Sequence, residues 1–294
     1  MAYARAIARC ILSEVSEPSS LGMQNSCLDA DRIVCHALSL TRAAIHAHPD
    51  RSITPDQQAM VKEFALRRAS GEPMAYILGD AIFCGKTFKI NGSSLIPRPE
   101  TEILTETADK FLKSLINGGV FADWCTGSGC IAITLLTDNP DFFAYAVDSS
   151  EDALSLARQN AEAHGVRDRI EFLECRDPLD ASEFIPPESL DMIVSNPPYI
   201  PTSDIRILEA QVKDYEPIEA LDGGADGLDV YRLLMPVLPA FMKRGAPLFL
   251  ETGGECQAKD IESLGSTISK NLKYCDIFCD HCGIDRFMQW RKSA

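Results

Sequence analysis

The sequence has no apolar run approaching the roughly 18–20 residues needed to cross a bilayer, which argues against a membrane-spanning helix. Its start also lacks a signal-peptide layout, because Met1 to Val15 carries Arg5, Arg9 and Glu14 among its apolar residues. That stretch reads instead as an amphipathic helix, with Ile7, Ile11 and Val15 at helical spacing. A cytoplasmic protein with no membrane partner is expected. Basic residues are scarce: 28 Lys and Arg stand against 43 Asp and Glu, a formal net charge of −15. No basic run exceeds two residues, as in Arg67-Arg68. Phosphate binding depends on clustered Lys and Arg, so a broad nucleic-acid-binding face is not expected. Charge alone leaves room for a small local patch. Internal repeats and low-complexity tracts are absent too.

A disulfide framework is likewise not indicated. The 11 cysteines are odd in number and scattered from Cys10 to Cys282, and without an export signal they read as reduced thiols. Cys275, Cys279 and Cys282 have a C-x3-C-x2-C spacing that can hold an iron–sulfur cluster, with His281 inside it. Yet Tyr274 to Phe278 alternates like a strand, and the clusters of radical enzymes sit early in a chain. These three cysteines are therefore read as structural, with no metal expected.

What is present is an ordinary globular composition, 46% hydrophobic, in 294 residues, enough for one large domain or two unequal ones. Residues 1–72 read as a small helical domain. Leu28 to Leu38 and Thr41 to His48 are helices, and Thr54, Pro55 and Gln57 open another with a capping box. That helix stops at Gly71. In residues 73–97 the short apolar pieces Tyr76 to Leu78, Ala81 to Cys84 and Thr87 to Ile90 alternate with glycines, which predicts a β-hairpin linker.

From residue 98 to 294 strands and helices alternate. Val120 to Trp124, Ala144 to Asp148, Ile170 to Glu174, Asp191 to Ser195 and Pro247 to Glu251 are strand candidates. Helices such as Ser150 to His164 lie between them, and Tyr274 to Phe278 and Phe287 to Trp290 add two edge strands. The pattern predicts an α/β fold with a mainly parallel, seven-stranded, doubly wound sheet, Rossmann-like in class. Ligands bind such sheets outside the carboxyl ends of the strands, where strand order reverses.

Two motifs fall at such ends. Asp123-Trp124-Cys125-Thr126-Gly127-Ser128-Gly129 follows the first strand, and a helix begins near Ile131. Gly127 and Gly129 let the backbone approach a ligand where a Cβ would collide. Asp148 ends the second strand and can accept hydrogen bonds from both hydroxyls of a ribose. The layout serves any adenosine-containing cofactor, and Gly127 to Ala132 also fits the nicotinamide dinucleotide fingerprint. Asp123 favours S-adenosylmethionine, because its carboxylate suits a cationic amino acid and would repel a pyrophosphate.

The second motif, Asn196-Pro197-Pro198-Tyr199, ends the strand Asp191 to Ser195. Two prolines forbid continued strand pairing and fix the backbone sharply. The chemistry matches a planar amide or amino nitrogen, a poor nucleophile whose lone pair is delocalised. The Asn196 side-chain oxygen and the Pro197 carbonyl can each accept one N–H of the target, orienting the nitrogen and stabilising charge as it develops. Tyr199 can pack against the planar group.

With these residues the chain resembles the protein-(glutamine) methyltransferases that modify peptide chain release factors, over nearly all its length. Leu95 to Glu102 (Leu-Ile-Pro-Arg-Pro-Glu-Thr-Glu) and Tyr215-Glu216-Pro217 are the more specific parts; Asn-Pro-Pro-Tyr is shared with DNA adenine methyltransferases. The resemblance implies that Cys125 to Gly129 wrap the methionine part of the cofactor and that Asp148 holds the ribose. It places Asp177 and Pro178 near the adenine, and it implies that Asn196 to Tyr199 bind the glutamine of a Gly-Gly-Gln loop. It also implies that Arg98 and Glu100 help close the site. Cys125 stands where the family usually has a glycine, and Pro178 where it usually has an aromatic residue. The alternatives are an adenine methyltransferase of DNA or RNA, which would need a basic groove, a non-catalytic binding module, and a nicotinamide oxidoreductase, which leaves Asn196 to Tyr199 unexplained. A monomer acting on release factors, without direct nucleic-acid binding, is the expected state.

Overall fold

The structure is a computed structural model and describes residues 1–15 and 26–293. The chain divides into two compact units, Met1–Gly79 with Ala210–Tyr215, and Asp80–Glu209 with Glu216–Ala294.

The first unit is helical: α1 (Ala2–Val15), α2 (Ser26–Leu38), α3 (Arg42–Ala47), α4 (Pro55–Ala69) and α5 (Met74–Leu78). The expected capping box opens α4, with the Gln57 N–H donating to Thr54 Oγ1 at 3.2 Å and the Thr54 N–H to Gln57 Oε1 at 3.0 Å. Such a cap is worth about 1 kcal/mol. The buried face of α1 is Ala4, Ala8 and Leu12, continued by Met1 just before the helix, while Ile7 and Ile11 only flank it. Sequence periodicity centred the face on the isoleucines, because alanine is a weak hydrophobic signal. The Val15 side chain lies outside the described residues.

Tyr76 to Leu78 is helix rather than strand. Pro73 fixes the entry to α5, Gly79 ends it at φ 78°, and Met74 and Ile77 are buried at helical spacing. Five residues are too few for that period to show in the sequence.

The hairpin itself is β1 (Asp80–Phe83) and β2 (Lys86–Lys89), joined by Cys84-Gly85 at φ 47° and 71°. Positive φ at both central residues suits the right-handed twist of a two-residue hairpin. The hairpin belongs to the second unit, where the Lys89 N–H donates to Asn160 Oδ1 at 2.7 Å and Lys86 pairs with Asp138.

The remaining elements of the chain follow in order: α6 (Pro99–Lys113), β3 (Gly119–Trp124), α7 (Cys130–Asp138), β4 (Phe142–Asp148), α8 (Glu151–Ala163), β5 (Ile170–Glu174) and β6 (Met192–Ser195). Next come α9 (Thr202–Ile205), α10 (Ala210–Lys213), α11 (Asp229–Val237), β7 (Pro247–Glu251), α12 (Glu255–Ile268), β8 (Leu272–Cys279) and β9 (Asp285–Lys292). Of these, α10 packs with the helical unit, where the Tyr215 hydroxyl donates to the Ser70 carbonyl at 2.9 Å.

The sheet has seven strands in the order β5-β4-β3-β6-β7-β9-β8, all parallel except β9. Strands β6 and β7 are buried along their whole length, as expected where helices cover both faces. Two edge strands were expected at the end of the chain; only β8 is an edge, and β9 lies inside the sheet between β7 and β8. Its Phe287, Met288 and Trp290 are all buried. The alternation expected in β8 is broken by a register shift at Cys275.

Candidate functional site

The sheet register aligns the site. Val147 of β4 pairs with Trp124 of β3, Trp124 with Ser195 of β6, and Ser195 with Leu250 of β7. The next residue on each strand path is therefore Asp148, Cys125, Asn196 and Glu251. Four neighbouring strands present them at one level, on the carboxyl edge of the sheet. The order of strands reverses between β3 and β6, so the glycine loop and Asn-Pro-Pro-Tyr emerge side by side at the switch point. The Ser195 hydroxyl, donating to the Trp124 carbonyl at 2.6 Å, ties the two exits together.

The loop is held by two carboxylates. Asp123 is fully buried beneath it, where Oδ2 accepts from the Thr126 hydroxyl at 2.7 Å and from the Ala132 N–H at 3.1 Å. Oδ1 has no hydrogen-bond partner among the described residues. Burial pushes its pKa up to about 7, with the charge of Asp148 adding and the two hydrogen bonds opposing. Asp148 accepts the Gly127 N–H at 2.8 Å and the Ser150 N–H at 3.0 Å, and burial raises its pKa against those bonds.

The two glycines serve different ends. A Cβ on Gly127, at φ 55°, would meet only Ser94 Cβ at 4.0 Å, so the space beside it is open. A Cβ on Gly129, at φ 80°, would stand 2.8 Å from Ile133 Cδ1 and 3.1 Å from Ala157 Cβ. Gly129 thus permits close packing of α7 on α8, a role that its position in the motif did not reveal. Cys125 holds φ 60°, a conformation natural to glycine and costly to any side chain.

A cavity of about 830 Å³ opens at this edge. Cys125, Thr126, Gly127, Ser128, Asp148 and Pro178 line it, as do Asn196 and Pro198. Asp123, Gly129 and Asp177 do not: Asp123 lies below the loop, Gly129 faces α8, and the exposed Asp177 accepts from the Leu179 N–H at 2.9 Å. Pro197 and Tyr199 also lie off the cavity wall. Tyr199 points instead at Glu251, its hydroxyl donating to Oε1 at 3.5 Å. Burial and that carboxylate raise the phenol's pKa well above the usual range.

Behind Asn196 lies a chain of hydrogen bonds. Its Nδ2 donates to Thr101 Oγ1 at 3.1 Å, and the Thr101 hydroxyl donates to Glu251 Oε2 at 2.8 Å. Glu251 is buried, which pushes its pKa up to about 7 against the opposing Thr101 hydrogen bond and Arg286 charge. Sequence reasoning passed over both partners. The signal was there for Glu251, since an acid closing the apolar strand Pro247–Glu251 is the pattern that singled out Asp148. Arg98 pairs with Glu216 at 2.6 Å, and Glu216 also accepts the Ile96 N–H at 3.1 Å. The stretch Leu95 to Glu102 is thereby joined to Glu216.

Residues 19–79 match the family described as the PrmC N-terminal domain, and residues 100–213 match the methyltransferase small domain. A release factor glutamine methyltransferase of Geobacter sulfurreducens is 38% identical over 272 residues, covering 92% of this chain and 91% of that protein. The enzyme of the same name from Cereibacter sphaeroides is 34% identical over 292 residues, 98% of this chain and 99% of its own length. This chain belongs to the release factor glutamine methyltransferase family. Membership makes it a methyltransferase that uses S-adenosylmethionine. Among solved structures, the catalytic domain of hMettl16 in complex with the MAT2A 3′UTR hairpin 6 superposes with a TM-score of 0.53 at 17% identity. It covers 78% of this chain and 82% of that one, a likeness of fold alone.

The residues of this family member fit the cofactor. Its cavity has the volume of a site for a drug-sized molecule. Gly127 keeps the space beside Ser94 clear, and Asp148 keeps lone pairs beyond its two backbone bonds.

Proposed function

We propose that the chain transfers a methyl group to the side-chain amide nitrogen of the glutamine in the Gly-Gly-Gln loop of peptide chain release factors. S-adenosylmethionine supplies the methyl on a cationic sulfur. Residues Cys125 to Ser128, with Asp148, hold it against the carboxyl edge of the sheet. The Asn196 amide carries the reading: its NH2 group is engaged by Thr101, which leaves Oδ1 as an acceptor on a cavity-lining residue.

An amide nitrogen attacks only when its lone pair is aimed at the methyl group. Asn196 Oδ1 takes one N–H of the target at the cavity wall, and the Pro197 backbone carbonyl, next along the chain but off that wall, takes the other, which turns the lone pair toward the donor. Neither is a strong base. Both are fixed acceptors that stabilise positive charge as it builds on the nitrogen, no reorganisation is needed at the moment of reaction, and the N-methylated cation, a strong acid, then releases one of its two N–H protons to water. Tyr199 supports the motif from behind, and Gln257 pins the Tyr199 carbonyl with an Nε2 hydrogen bond of 2.8 Å. The enzyme acts as a monomer in the cytoplasm, where release factors work, and does not bind nucleic acid directly. A net charge of −15 supports the last point. Incubation with release factors and S-adenosylmethionine, followed by peptide mass spectrometry, tests the reading; one methyl on the glutamine is expected.

A further inference from the structure

The hydrogen-bond chain behind Asn196 has a direction, and the direction is set at its far end. An ionised Glu251 has no hydrogen to give, so the Thr101 hydroxyl must donate to it across their 2.8 Å contact. With its one hydrogen spent, Thr101 Oγ1 can only accept from Asn196, so the NH2 end of the amide faces it at 3.1 Å. The carbonyl end is then turned away from Thr101. A threonine in the first turn of α6 and a glutamate at the end of β7 thus decide which end of Asn196 is offered to the target.

We propose that Thr101 and Glu251 are positioning residues for methyl transfer, fixing the Asn196 side chain with its oxygen toward the target nitrogen. The proposal rests on the reading of Asn196 as an acceptor of the target N–H. An amide turned the other way would set NH2 against NH2, two donors with no acceptor between them, and the target would lose its alignment.

The direction reverses if Glu251 takes up a proton. A carboxylic acid can donate to Thr101, Thr101 can then donate to Asn196, and the amide is free to turn over. The groups facing Glu251 are few. Tyr199 approaches Oε1 at 3.5 Å, and the Tyr231 hydroxyl donates to the Glu251 backbone carbonyl at 2.6 Å. Arg286 from β9 favours the ionised form, and Glu100 from α6 opposes it. Burial outweighs Arg286 and places the titration near neutrality, at about 7. Turnover should therefore fall as the pH drops through that value.

The test is single-turnover methylation of a release factor at saturating cofactor. Thr101→Val keeps the shape and removes the hydroxyl; it should lower the single-turnover rate constant by about 10²-fold, the usual cost of misplacing a reacting group. Cofactor affinity by calorimetry should change by less than about 2-fold, well under the tenfold that 1.4 kcal/mol represents. Thr101→Ser should restore most of the rate, and Glu251→Gln should flatten the pH profile around neutrality. Asn196→Ala serves as the reference. If Asn196→Ala loses activity while Thr101→Val keeps it, the positioning role is wrong and the proposed function stands. The role is equally wrong if Thr101→Ser falls as far as Thr101→Val, since packing alone would then explain both. If Asn196→Ala keeps full activity, the reading of Asn196 itself fails. Should Thr101→Val not fold, the wild-type and Glu251→Gln pH profiles decide, and identical profiles would overturn the proposal.

Discussion

Glu251→Gln should stabilise the protein at neutral and alkaline pH and leave it unchanged near pH 4.5. Glu251 is buried beside Thr101 and Tyr199, and its pKa is raised from 4.5 to about 7, first by desolvation. Because the folded-state value lies above the unfolded one, the fold favours the neutral carboxyl. Its contribution is fully present below about 4.5, shrinks as the pH rises, and is gone above about 7. At 1.36 kcal/mol per pH unit, the interval from 4.5 to about 7 corresponds to about 3 kcal/mol of differential stability. The glutamine side chain is neutral at every pH, matches the size, and retains an acceptor for Thr101. The variant should therefore gain up to about 3 kcal/mol over wild type near pH 8, and the difference should vanish near pH 4.5. Asp123 is raised to a similar value, but it is present in both proteins and cancels in the comparison. Urea unfolding followed by tryptophan fluorescence is the assay, since both tryptophans, Trp124 and Trp290, are buried in the unit that contains Glu251. A difference of the same size at both pH values would refute the reasoning.

Two further outcomes follow from the geometry. Gly127→Val places a branched side chain in the open space beside Ser94 and, at φ 55°, strains the loop backbone as well, so calorimetry should find cofactor affinity reduced roughly tenfold or more. Replacing Cys275, Cys279 and Cys282 with serine should leave methyl transfer intact, since all three are exposed on or beside β8, away from the cavity; stoichiometric metal lost together with activity would contradict this.

The sheet was legible in the sequence because its strands are short apolar runs, three of them closed by an acid (Asp148, Glu174 and Glu251) and one by Asn196-Pro197-Pro198, and all five parallel strand candidates appear where they were expected. What escaped was whatever pairing decides rather than composition. The place of β9 inside the sheet depends on which neighbour its backbone finds, and nothing in Asp285–Lys292 states that. The helix Met74–Leu78 is set by Pro73 and Gly79 more than by its own residues. At the site, Asp148 and the Asn196-Pro197-Pro198 turn were visible because an isolated acid or a proline pair stands out against an apolar run, while Glu251 offered the same signal and was passed over. Thr101 was not visible, because a threonine in the first turn of a helix is unremarkable until the fold brings it 3.1 Å from a side chain 95 residues away. Cys125 could be flagged as a departure from the family's glycine, and its φ of 60° shows that the backbone kept the glycine conformation.

The central claim is that Asn196 presents the target nitrogen of a release factor to the methyl donor. Wild type and Asn196→Ala should be given a release factor and an adenine-containing DNA under one salt condition, with the methylated products identified by mass spectrometry. The account predicts a methyl on the Gly-Gly-Gln glutamine with wild type, a rate lower by about 10²–10³-fold with Asn196→Ala, little change in cofactor affinity, and no comparable methylation of DNA. Methylated adenine with an unmodified release factor would contradict it.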